Sequence, residues 1–360
     1  MSSSSSTPLK LAILDDYASI ALPHFQSLLS SAPGQVQIDS FPSTLNARIP
    51  AEHAQLVERL KPYTIISSMR ERTLFPRSVL EQLPNLKLLL TTAMKNAAID
   101  LAACKERGIT VVGTAPKPNA VKGYDATNEI TWALILGFAK DLVHGDALIK
   151  SVPGGWQTHL AVGLAGKTLG LLGLGKLGTQ CGVTGVLGFG MKVVAWSSSL
   201  TQEKADEAAE SRGLPKGTFQ VAASKRELFE KADVLSVHYV LSDRSRGIVG
   251  ADELAAMKKS AFLVNTSRGP LVDEPALVAA LEAGQIRGVA LDVFETEPLP
   301  TDNTPWRRSD YWGTQGRSRV LLSPHMGYVE EETMNSWYEQ QARAVASWLK
   351  GEEVKGIMQP

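Results

Sequence analysis

The chain has 360 residues, with 37 basic and 37 acidic side chains and a formal net charge of zero. This length predicts about two domains, since a typical domain has roughly 150 residues. Balanced charge disfavours nucleic acid as a partner, because proteins that hold phosphate backbones carry clustered positive charge. No apolar run is long enough to span a membrane, and residues 1–7 carry neither an apolar segment nor arginines. We therefore expect a cytoplasmic protein that binds neither nucleic acid nor a membrane.

The cysteines and histidines indicate no disulfide framework and no metal site. Cys104 and Cys181 are the two cysteines of the chain, too few for a disulfide scaffold and consistent with a reducing compartment. Both lie in helical patterns and are predicted to be buried thiols. No histidines, cysteines and carboxylates occur together at the spacing of metal ligands, which disfavours a metal-dependent alcohol dehydrogenase.

The first third of the chain alternates short β-rich runs with amphipathic stretches. Strands are predicted at residues 9–14, 36–38, 64–67, 86–90 and 109–112, and a helix at 51–60. This alternation is the βαβ pattern of a parallel sheet. The turn-rich stretch 113–125, with Pro116, Pro118 and Gly123, then predicts a boundary and hinge.

A second alternation follows a long apolar helix predicted over residues 126–149. Its strands are predicted at residues 168–172, 192–196, 234–237, 261–265, 288–294 and 320–322, before a closing helix at 330–349. Residues 301–318 contain Trp306, Tyr311 and Trp312 among turn formers and predict a long irregular insertion. This insertion either lines a pocket for a bulky substrate group or packs as a surface lobe.

Residues 173–178 read Gly-Leu-Gly-Lys-Leu-Gly and follow the predicted strand 168–172 directly. In this strand, turn and helix context, Gly173 permits the tight turn and Gly175 lets the backbone approach a pyrophosphate. Gly178 lets the helix pack closely on the strand. Since the helix N-terminus also supplies N–H groups to an anion, the segment predicts a dinucleotide site.

The next strand ends without the acidic residue that bonds the adenine ribose of NAD. Trp196 is followed by Ser197 and Ser198, whose hydroxyls can donate to a 2′-phosphate that a carboxylate would repel. No arginine is adjacent to clamp such a phosphate, and the nearest base in sequence is Lys204. The prediction is NAD(P), with NADP favoured over NAD. The alternative is a solvated serine loop that discriminates weakly.

Three chemically distinct side chains follow three predicted strands of the second unit: Arg268, Glu297 and His325. Because the carboxyl ends of parallel strands share one edge, we expect these side chains to converge there. Hydride transfer to a 2-oxo acid needs a guanidinium for the carboxylate and an imidazole for the proton. A carboxylate bonded to the imidazole favours its protonated form. The alternatives are a surface ion pair for Arg268, a solvated carboxylate for Glu297 and a satisfied core histidine for His325.

From residue 9 to about residue 350, these motifs in this order resemble the D-isomer-specific 2-hydroxyacid dehydrogenase family. The resemblance implies an α/β fold of two doubly wound parallel-sheet domains. A Rossmann dinucleotide-binding domain, residues 124–327, is inserted into a flavodoxin-like substrate domain, residues 1–123 and 328–360. The implied activity is that of an NAD(P)-dependent D-2-hydroxyacid dehydrogenase working as a 2-oxoacid reductase on a small acid. A homodimer is also implied.

The resemblance also implies roles for individual residues. Arg268 binds the substrate, His325 is the acid/base, and Glu297 rather than Glu295 is the partner of His325. The implied cofactor contacts are Gly173, Gly175, Lys176, Leu177, Gly178, Ser197, Ser198, Tyr239, Val240, Thr266, Ser267, Arg268, Asp292, His325 and Gly327.

In the first unit, residues 91–100 occupy the place of the family's substrate-carboxylate loop. The nearest candidates to the substrate are Ala93, Met94 and Lys95, although that loop usually carries glycines, from which Ala93 and Lys95 depart. Arg70 is a second candidate anion contact, and a solvated ion-pair face is the alternative for it.

Two other functions stay open on the same scaffold. One is formate or phosphite oxidation, for which the arrangement of Arg268 with a Glu–His pair is less suited than for a 2-oxo acid. The other is a nucleotide-sensing protein that binds partner peptides, as related transcriptional corepressors do. Reaction rates with a panel of 2-oxo acids distinguish these two functions from reduction of a 2-oxo acid.

Overall fold

A computed structural model describes residues 8–31, 36–116, 125–308 and 310–360. These residues form two compact units. Unit 1 contains the described residues up to 116 together with residues 330–360, and unit 2 contains residues 125–329. The predicted limit between residues 123 and 124 and most of the predicted hinge lie outside the described residues.

Unit 1 is built on a five-stranded parallel sheet with the order β2-β1-β3-β4-β5. This is the flavodoxin-like strand order. The strands are β1 (Leu9–Leu14), β2 (Val36–Phe41), β3 (Ile65–Ser68), β4 (Leu88–Thr91) and β5 (Thr110–Val112). The helices between them are α1 (Ala21–Ser31), α2 (Pro50–Leu60), α3 (Arg77–Leu80) and α4 (Leu101–Glu106). β3 and β4 are buried along their whole length, as strands covered on both faces are.

Unit 2 is built on a seven-stranded parallel sheet with the order β12-β11-β10-β9-β6-β7-β8. Its strands are β6 (Thr168–Leu172), β7 (Lys192–Trp196), β8 (Phe219–Val221), β9 (Val234–Val237), β10 (Phe262–Asn265), β11 (Gly288–Leu291) and β12 (Arg319–Leu322). Its helices are α5 (Ala126–Lys140), α6 (Leu142–Ser151), α7 (Lys176–Phe189), α8 (Gln202–Glu210), α9 (Lys225–Lys231), α10 (Ala251–Ala256) and α11 (Glu274–Glu282). The strand order reverses between β6 and β9, which is where doubly wound sheets bind nucleotides.

The chain returns to unit 1 as helix α12 (Glu331–Leu349). Gln341 on α12 accepts a hydrogen bond of 2.5 Å from the Ser67 hydroxyl on β3. Beyond the helix, the Met358 amide bonds to the Val111 carbonyl at 2.9 Å. The C-terminal segment is therefore part of the first unit, and the predicted fold of two parallel α/β sheets is confirmed.

Two predicted elements differ in the structure, and one strand was not predicted. The predicted helix 126–149 is two helices, because Asp141 adopts a left-handed conformation (φ +56°) between α5 and α6. The predicted strand 288–294 ends at residue 291, since Asp292 turns its carboxylate to the backbone of another loop. The three-residue strand β8 was missed, because so short a run carries no readable alternation.

The predicted buried thiols are confirmed. Cys104 in α4 and Cys181 in α7 are free and buried, and burial raises the pKa of each to about 12. In the described part of the chain, no helix combines the length and apolarity needed to cross a membrane.

Candidate active site

The glycine turn after β6 has the packing that its sequence predicts. Gly173 has φ +101°, and a Cβ there would lie 2.5 Å from the His238 carbonyl oxygen. A Cβ on Gly178 would lie 2.1 Å from the Gly173 carbonyl oxygen. A Cβ on Gly175 would meet nothing within 4 Å. Packing therefore requires the first and third glycines, whereas the second faces open space.

Helix α7 begins directly at this open space. Its N-cap is Gly175, so no side chain caps the first turn, and that turn holds no acidic residue. The helix has 14 residues, and its uncapped N–H groups and partial positive charge favour an anion. Lys176 and Leu177 provide the first amides, and the Lys176 ammonium bonds to Asp125 at 2.9 Å. This cradle fits the pyrophosphate of a dinucleotide.

Hydroxyls and one ammonium group border the end of β7. Ser197 is half-buried and Ser198 is exposed. The Tyr239 hydroxyl lies 3.1 Å from the Ser198 hydroxyl, and the Ser198 amide donates to it at 3.3 Å. Lys204 donates to the Ser199 carbonyl at 2.9 Å. The polar groups beside the serine loop therefore include the Lys204 ammonium, to which no carboxylate among the described residues is bonded.

Three other predicted cofactor contacts lie after β9 and β10. The Thr266 hydroxyl lies 2.7 Å from that of Thr131, and Ser267 donates its hydroxyl to the Val237 carbonyl at 2.7 Å. Val240 is 81% exposed. Because the two hydroxyls are used within the protein, cofactor contacts by their side chains stay a prediction.

Arg268 follows β10 in a loop that Asn265 organises. The Asn265 side chain donates to the Arg268 carbonyl at 2.9 Å and accepts from the Ser267 amide at 3.1 Å. The Arg268 guanidinium is half-buried and donates to the Ser267 carbonyl at 2.7 Å. Across the described residues it forms no ion pair. A half-buried guanidinium without a carboxylate is available to an anionic ligand.

The Arg268 loop packs directly against the loop that follows β11. A Cβ on Gly269 would lie 2.0 Å from the carbonyl group of Phe294, so only a glycine fits between the two backbones. Sequence analysis missed Gly269 and Asn265. The signal for both was their position beside Arg268 at a strand end.

Glu297 and His325 form a direct contact. The Glu297 Oε2 atom lies 2.5 Å from His325 Nδ1, and Glu297 Oε1 accepts from the Phe294 amide at 2.8 Å. Glu295 instead pairs with Arg246 at 3.0 Å. Because both oxygens of Glu297 are engaged, its carboxylate is fixed against the imidazole. The second ring nitrogen, Nε2, is left for proton exchange with a ligand.

Asp292 supports the turn that carries His325. It is fully buried, and its two oxygens accept from the Met326 amide at 2.7 Å and the Gly327 amide at 2.9 Å. These bonds hold His325 at φ +58°, a conformation uncommon for residues other than glycine. The observed role of Asp292 is thus to position this turn, and its contact with a cofactor stays a prediction.

The substrate-loop candidates lie in unit 1, where the loops after β3 and β4 meet. The Arg70 amide donates to the Thr92 hydroxyl at 3.0 Å, and Asn96 donates to the Arg70 carbonyl at 2.6 Å. The Arg70 guanidinium lies 3.3 Å from the Glu71 carboxylate. The ion-pair alternative therefore describes at least one contact of Arg70.

The backbone at Ala93 explains why glycine is common at this place. Ala93 has φ +69°, and its amide donates to the Thr114 hydroxyl at 2.7 Å. Met94 is 43% exposed, and Lys95 is exposed. The loop therefore presents the backbone turn, an apolar side chain and an ammonium group to its surroundings.

The profile of the NAD binding domain of D-isomer specific 2-hydroxyacid dehydrogenases matches residues 132–327. A glyoxylate reductase from Aeropyrum pernix is 36% identical over 263 residues, which are 71% of each protein. A D-3-phosphoglycerate dehydrogenase from Methanocaldococcus jannaschii is 32% identical over 304 residues, 84% of this chain. The chain spans about half of that relative, because the match covers 53% of its length.

Solved structures have the same fold. A phosphoglycerate oxidoreductase from Vibrio cholerae is 33% identical, with a TM-score of 0.78 over 95% of this chain and 99% of that one. The D-lactate dehydrogenase from Aquifex aeolicus, crystallised with NAD and lactic acid, is 24% identical, with a TM-score of 0.66 over 95% and 96% of the two chains. The profile match and these identities lead to one conclusion: the chain belongs to the D-isomer specific 2-hydroxyacid dehydrogenase family of NAD-binding oxidoreductases.

Proposed function

We propose that the chain is an NAD(P)-dependent reductase that converts a small 2-oxo acid to the D-2-hydroxy acid. The observation that carries this proposal is the contact of 2.5 Å between Glu297 and His325, at the sheet edge that also bears Arg268. A fixed acid/base and an unpaired guanidinium are the two groups that reduction of a 2-oxo acid requires from the protein.

Each residue has a distinct role in this reaction. When bound, the nicotinamide supplies the hydride that the keto carbon accepts. Arg268 holds the substrate carboxylate and carbonyl through its planar guanidinium. His325 donates a proton from Nε2 to the substrate oxygen as that oxygen gains charge. Glu297 keeps the ring oriented and stabilises its protonated form.

For the cofactor, the proposal favours NADPH over NADH. The first amides of α7 hold the pyrophosphate, and Ser197 and Ser198 face the ribose 2′ position. The ammonium of Lys204, anchored on the Ser199 carbonyl, supports a phosphate in this place, since a cation attracts it.

For the substrate, the proposal is a small 2-oxo acid. The named relatives include glyoxylate reductases and D-3-phosphoglycerate dehydrogenases, which act on small hydroxy or oxo acids. In unit 1, Arg70, Ala93, Met94 and Lys95 are proposed as further substrate contacts. The exposed Met94 and Lys95 support a role for this loop in recognising the substrate side chain and carboxylate.

The proposal is tested by initial rates with glyoxylate, hydroxypyruvate, pyruvate and larger 2-oxo acids, each with NADH and NADPH. Formate, phosphite and D-3-phosphoglycerate are assayed in the oxidative direction. We expect turnover of at least one 2-oxo acid. His325→Ala should lower kcat by about 10² to 10⁴, while dinucleotide affinity stays near that of the native chain.

Two outcomes contradict the proposal. Oxidation of formate or phosphite without reduction of any 2-oxo acid would assign the chain to that alternative. Tight dinucleotide binding without any turnover would favour a nucleotide-sensing protein that binds peptides.

We also infer a cytoplasmic homodimer. Helix α6 has no buried residue, and its Leu142, Val143 and Ile149 side chains are between 58% and 67% exposed. Clustered exposed apolar side chains are typical of an interface, and we infer that a second copy of the chain covers them. The two free, buried thiols support a reducing location.

A further inference from the structure

The break between α5 and α6 is a local exception to the sequence pattern. Asp141 ends one helix and begins the next with φ +56°, although it is not a glycine. An unfavourable backbone conformation that the surrounding structure maintains points to a local function.

The break brings a carboxylate and two imidazoles to one place in unit 2. Asp141 lies at the break, His144 on the first turn of α6, and His159 in the segment before β6. One ligand atom from each residue lies within 4.8 Å of the others. His159 Nδ1 lies 3.6 Å from Asp141 Oδ2, and the two imidazole rings are 5.0 Å apart at 82°.

The three side chains line a surface recess of about 210 Å³. His144 and His159 are exposed, so their rings can rotate toward a ligand. Asp141 is half-buried and is oriented by Arg319, which donates to its Oδ1 atom at 2.5 Å. The Oδ2 atom is therefore turned toward His159. A neighbour that fixes one oxygen of a ligating carboxylate is common around metal ions.

We propose that Asp141, His144 and His159 bind a divalent transition-metal ion, with Zn²⁺ as its representative. Two imidazole nitrogens and one carboxylate oxygen form a donor set that Zn²⁺ accepts at about 2.0–2.2 Å. Mg²⁺ and Ca²⁺ prefer oxygen ligands and are disfavoured. Tetrahedral coordination needs ligand atoms about 3.4 Å apart, so the exposed rings must move inward by roughly 1 Å.

The proposed ion has a structural role, and we expect its affinity to be limited. It connects the start of α6 to the segment before β6. The guanidinium of Arg319 withdraws charge from the carboxylate, and Lys140 also lines the recess. Both cations oppose a metal ion, so we expect weaker binding than at a closed site of four ligands.

The test is calorimetric titration of the full-length chain with ZnCl₂ in a buffer that does not chelate metals. We expect one Zn²⁺ per chain, with affinity lowered at least tenfold in both His144→Ala and His159→Ala. His53→Ala is the control, because His53 is a half-buried imidazole that lies in unit 1 beside Ser78. Titration with Co²⁺ should give the visible absorption of a nitrogen and oxygen site and lose it in the same variants.

Unchanged Zn²⁺ affinity in both histidine variants would overturn the proposal. Loss of binding in His325→Ala instead would assign the ion to the Glu297–His325 pair. One Zn²⁺ per two chains would indicate an ion between copies rather than within one. Circular dichroism of each variant checks folding, and the exposed positions of His144 and His159 keep both variants usable if Asp141→Asn does not fold.

Discussion

Two histidines at the sheet edge of unit 2 have opposite environments. His325 is partly exposed and contacts a carboxylate. His238 is buried, with Nε2 at 2.9 Å from the Ser236 hydroxyl. Burial lowers the pKa of His238 to about 4, so its imidazole stays neutral beneath the glycine turn. One histidine is thus paired with a carboxylate, and the other remains uncharged.

The buried histidine predicts a pH dependence of stability. The pKa of His238 is about 4 in the folded chain and about 6.5 when unfolded, so the unfolded state binds the extra proton between these values. The contribution of His238 to stability is therefore fully present above about pH 6.5 and is lost toward pH 4, by roughly 3 kcal/mol. His238→Asn should lack this part of the slope in urea unfolding across that range. An equal slope in both proteins would contradict the prediction. Carboxylates contribute to the slope of both proteins equally, so they do not affect the comparison.

Ser197→Asp tests which cofactor the serine loop selects. A carboxylate beside the ribose 2′ position repels a phosphate and accepts a bond from a hydroxyl, so kcat/KM should shift toward NADH by roughly tenfold or more. Ser197→Ala is the control, since it removes the hydroxyl without adding charge. Steady-state rates with both cofactors measure the ratio. An unchanged ratio in the aspartate variant would mean that this position does not contact the 2′ substituent.

At the scale of elements, two glycines of the turn between β6 and α7 have different surroundings. Gly178 lies where a Cβ would overlap the backbone of the turn, and Gly175 lies where a Cβ would enter open space. A methyl group therefore tests packing at one position and ligand binding at the other. The same Gly→Ala substitution therefore tests the fold at Gly178 and the ligand site at Gly175.

Gly178→Ala should destabilise the chain by about 1–3 kcal/mol, because the added methyl group forces the turn to shift. Gly175→Ala should leave the melting temperature nearly unchanged and weaken dinucleotide binding at least tenfold, since the methyl group occupies the space for the pyrophosphate. Thermal unfolding and fluorescence titration with NADPH measure the two effects. If Gly175→Ala bound NADPH normally, the proposed cradle would be wrong.

The insertion at residues 301–318 is anchored to its own unit. Trp306 is 4% exposed, donates its Nε1–H to Glu274 at 2.8 Å, and packs 6.5 Å from the Phe294 ring. The Trp312 ring lies 6.2 Å from that of Trp306. Since the Phe294 amide bonds to Glu297, the insertion supports the loop that orients the Glu297 carboxylate. The described part of the insertion contains neither helix nor strand, as the sequence predicts.

Trp306→Ala should therefore affect both stability and catalysis. Loss of a buried tryptophan costs about 3–5 kcal/mol, and a looser Phe294 should lower kcat more than it raises KM. Trp306→Phe, which retains an aromatic ring but loses the bond to Glu274, should lose less of both. Urea unfolding and steady-state kinetics measure these quantities. A destabilised Trp306→Ala protein with native kcat would show that the insertion serves stability alone.

The sequence predicted long elements better than local breaks in them. Buried runs such as Leu88–Thr91 are readable because both faces of a parallel strand are apolar. The helix break at Asp141 was not readable, because the Arg319 that bonds its carboxylate is distant in sequence. For the site, strand ends predicted Arg268 and His325 as neighbours. The bonds of Asp292 and the close packing of Gly269 depend on backbone geometry that no residue pattern encodes.

At the scale of the whole molecule, each unit carries its own recognisable strand order. Both sheets were predicted to be parallel from their alternating elements, and the structure gives their orders, β2-β1-β3-β4-β5 and β12-β11-β10-β9-β6-β7-β8. Neither sheet covers the exposed apolar side chains of α6. We infer that a second copy covers this face.

Leu142→Glu combined with Ile149→Glu should convert the protein to a monomer, because two carboxylates oppose burial of the face. Light scattering after size-exclusion chromatography measures the mass. Ile49→Glu is the control, since Ile49 is 44% exposed but lies in unit 1, outside α6. A dimer that persists in the double variant would place the interface elsewhere, and a monomeric native chain would contradict the homodimer.

The Thr127 hydroxyl donates to the Gly327 carbonyl at 3.1 Å, which ties the start of unit 2 to its end. A continuous segment whose two ends lie close together can be removed from one protein and inserted into another, because the rest of the chain then has only a short gap to bridge. Genetic exchange of residues 125–329 would therefore transfer the glycine turn, the serine loop and the Arg268, Glu297 and His325 side chains together, while the five-stranded sheet is inherited unchanged.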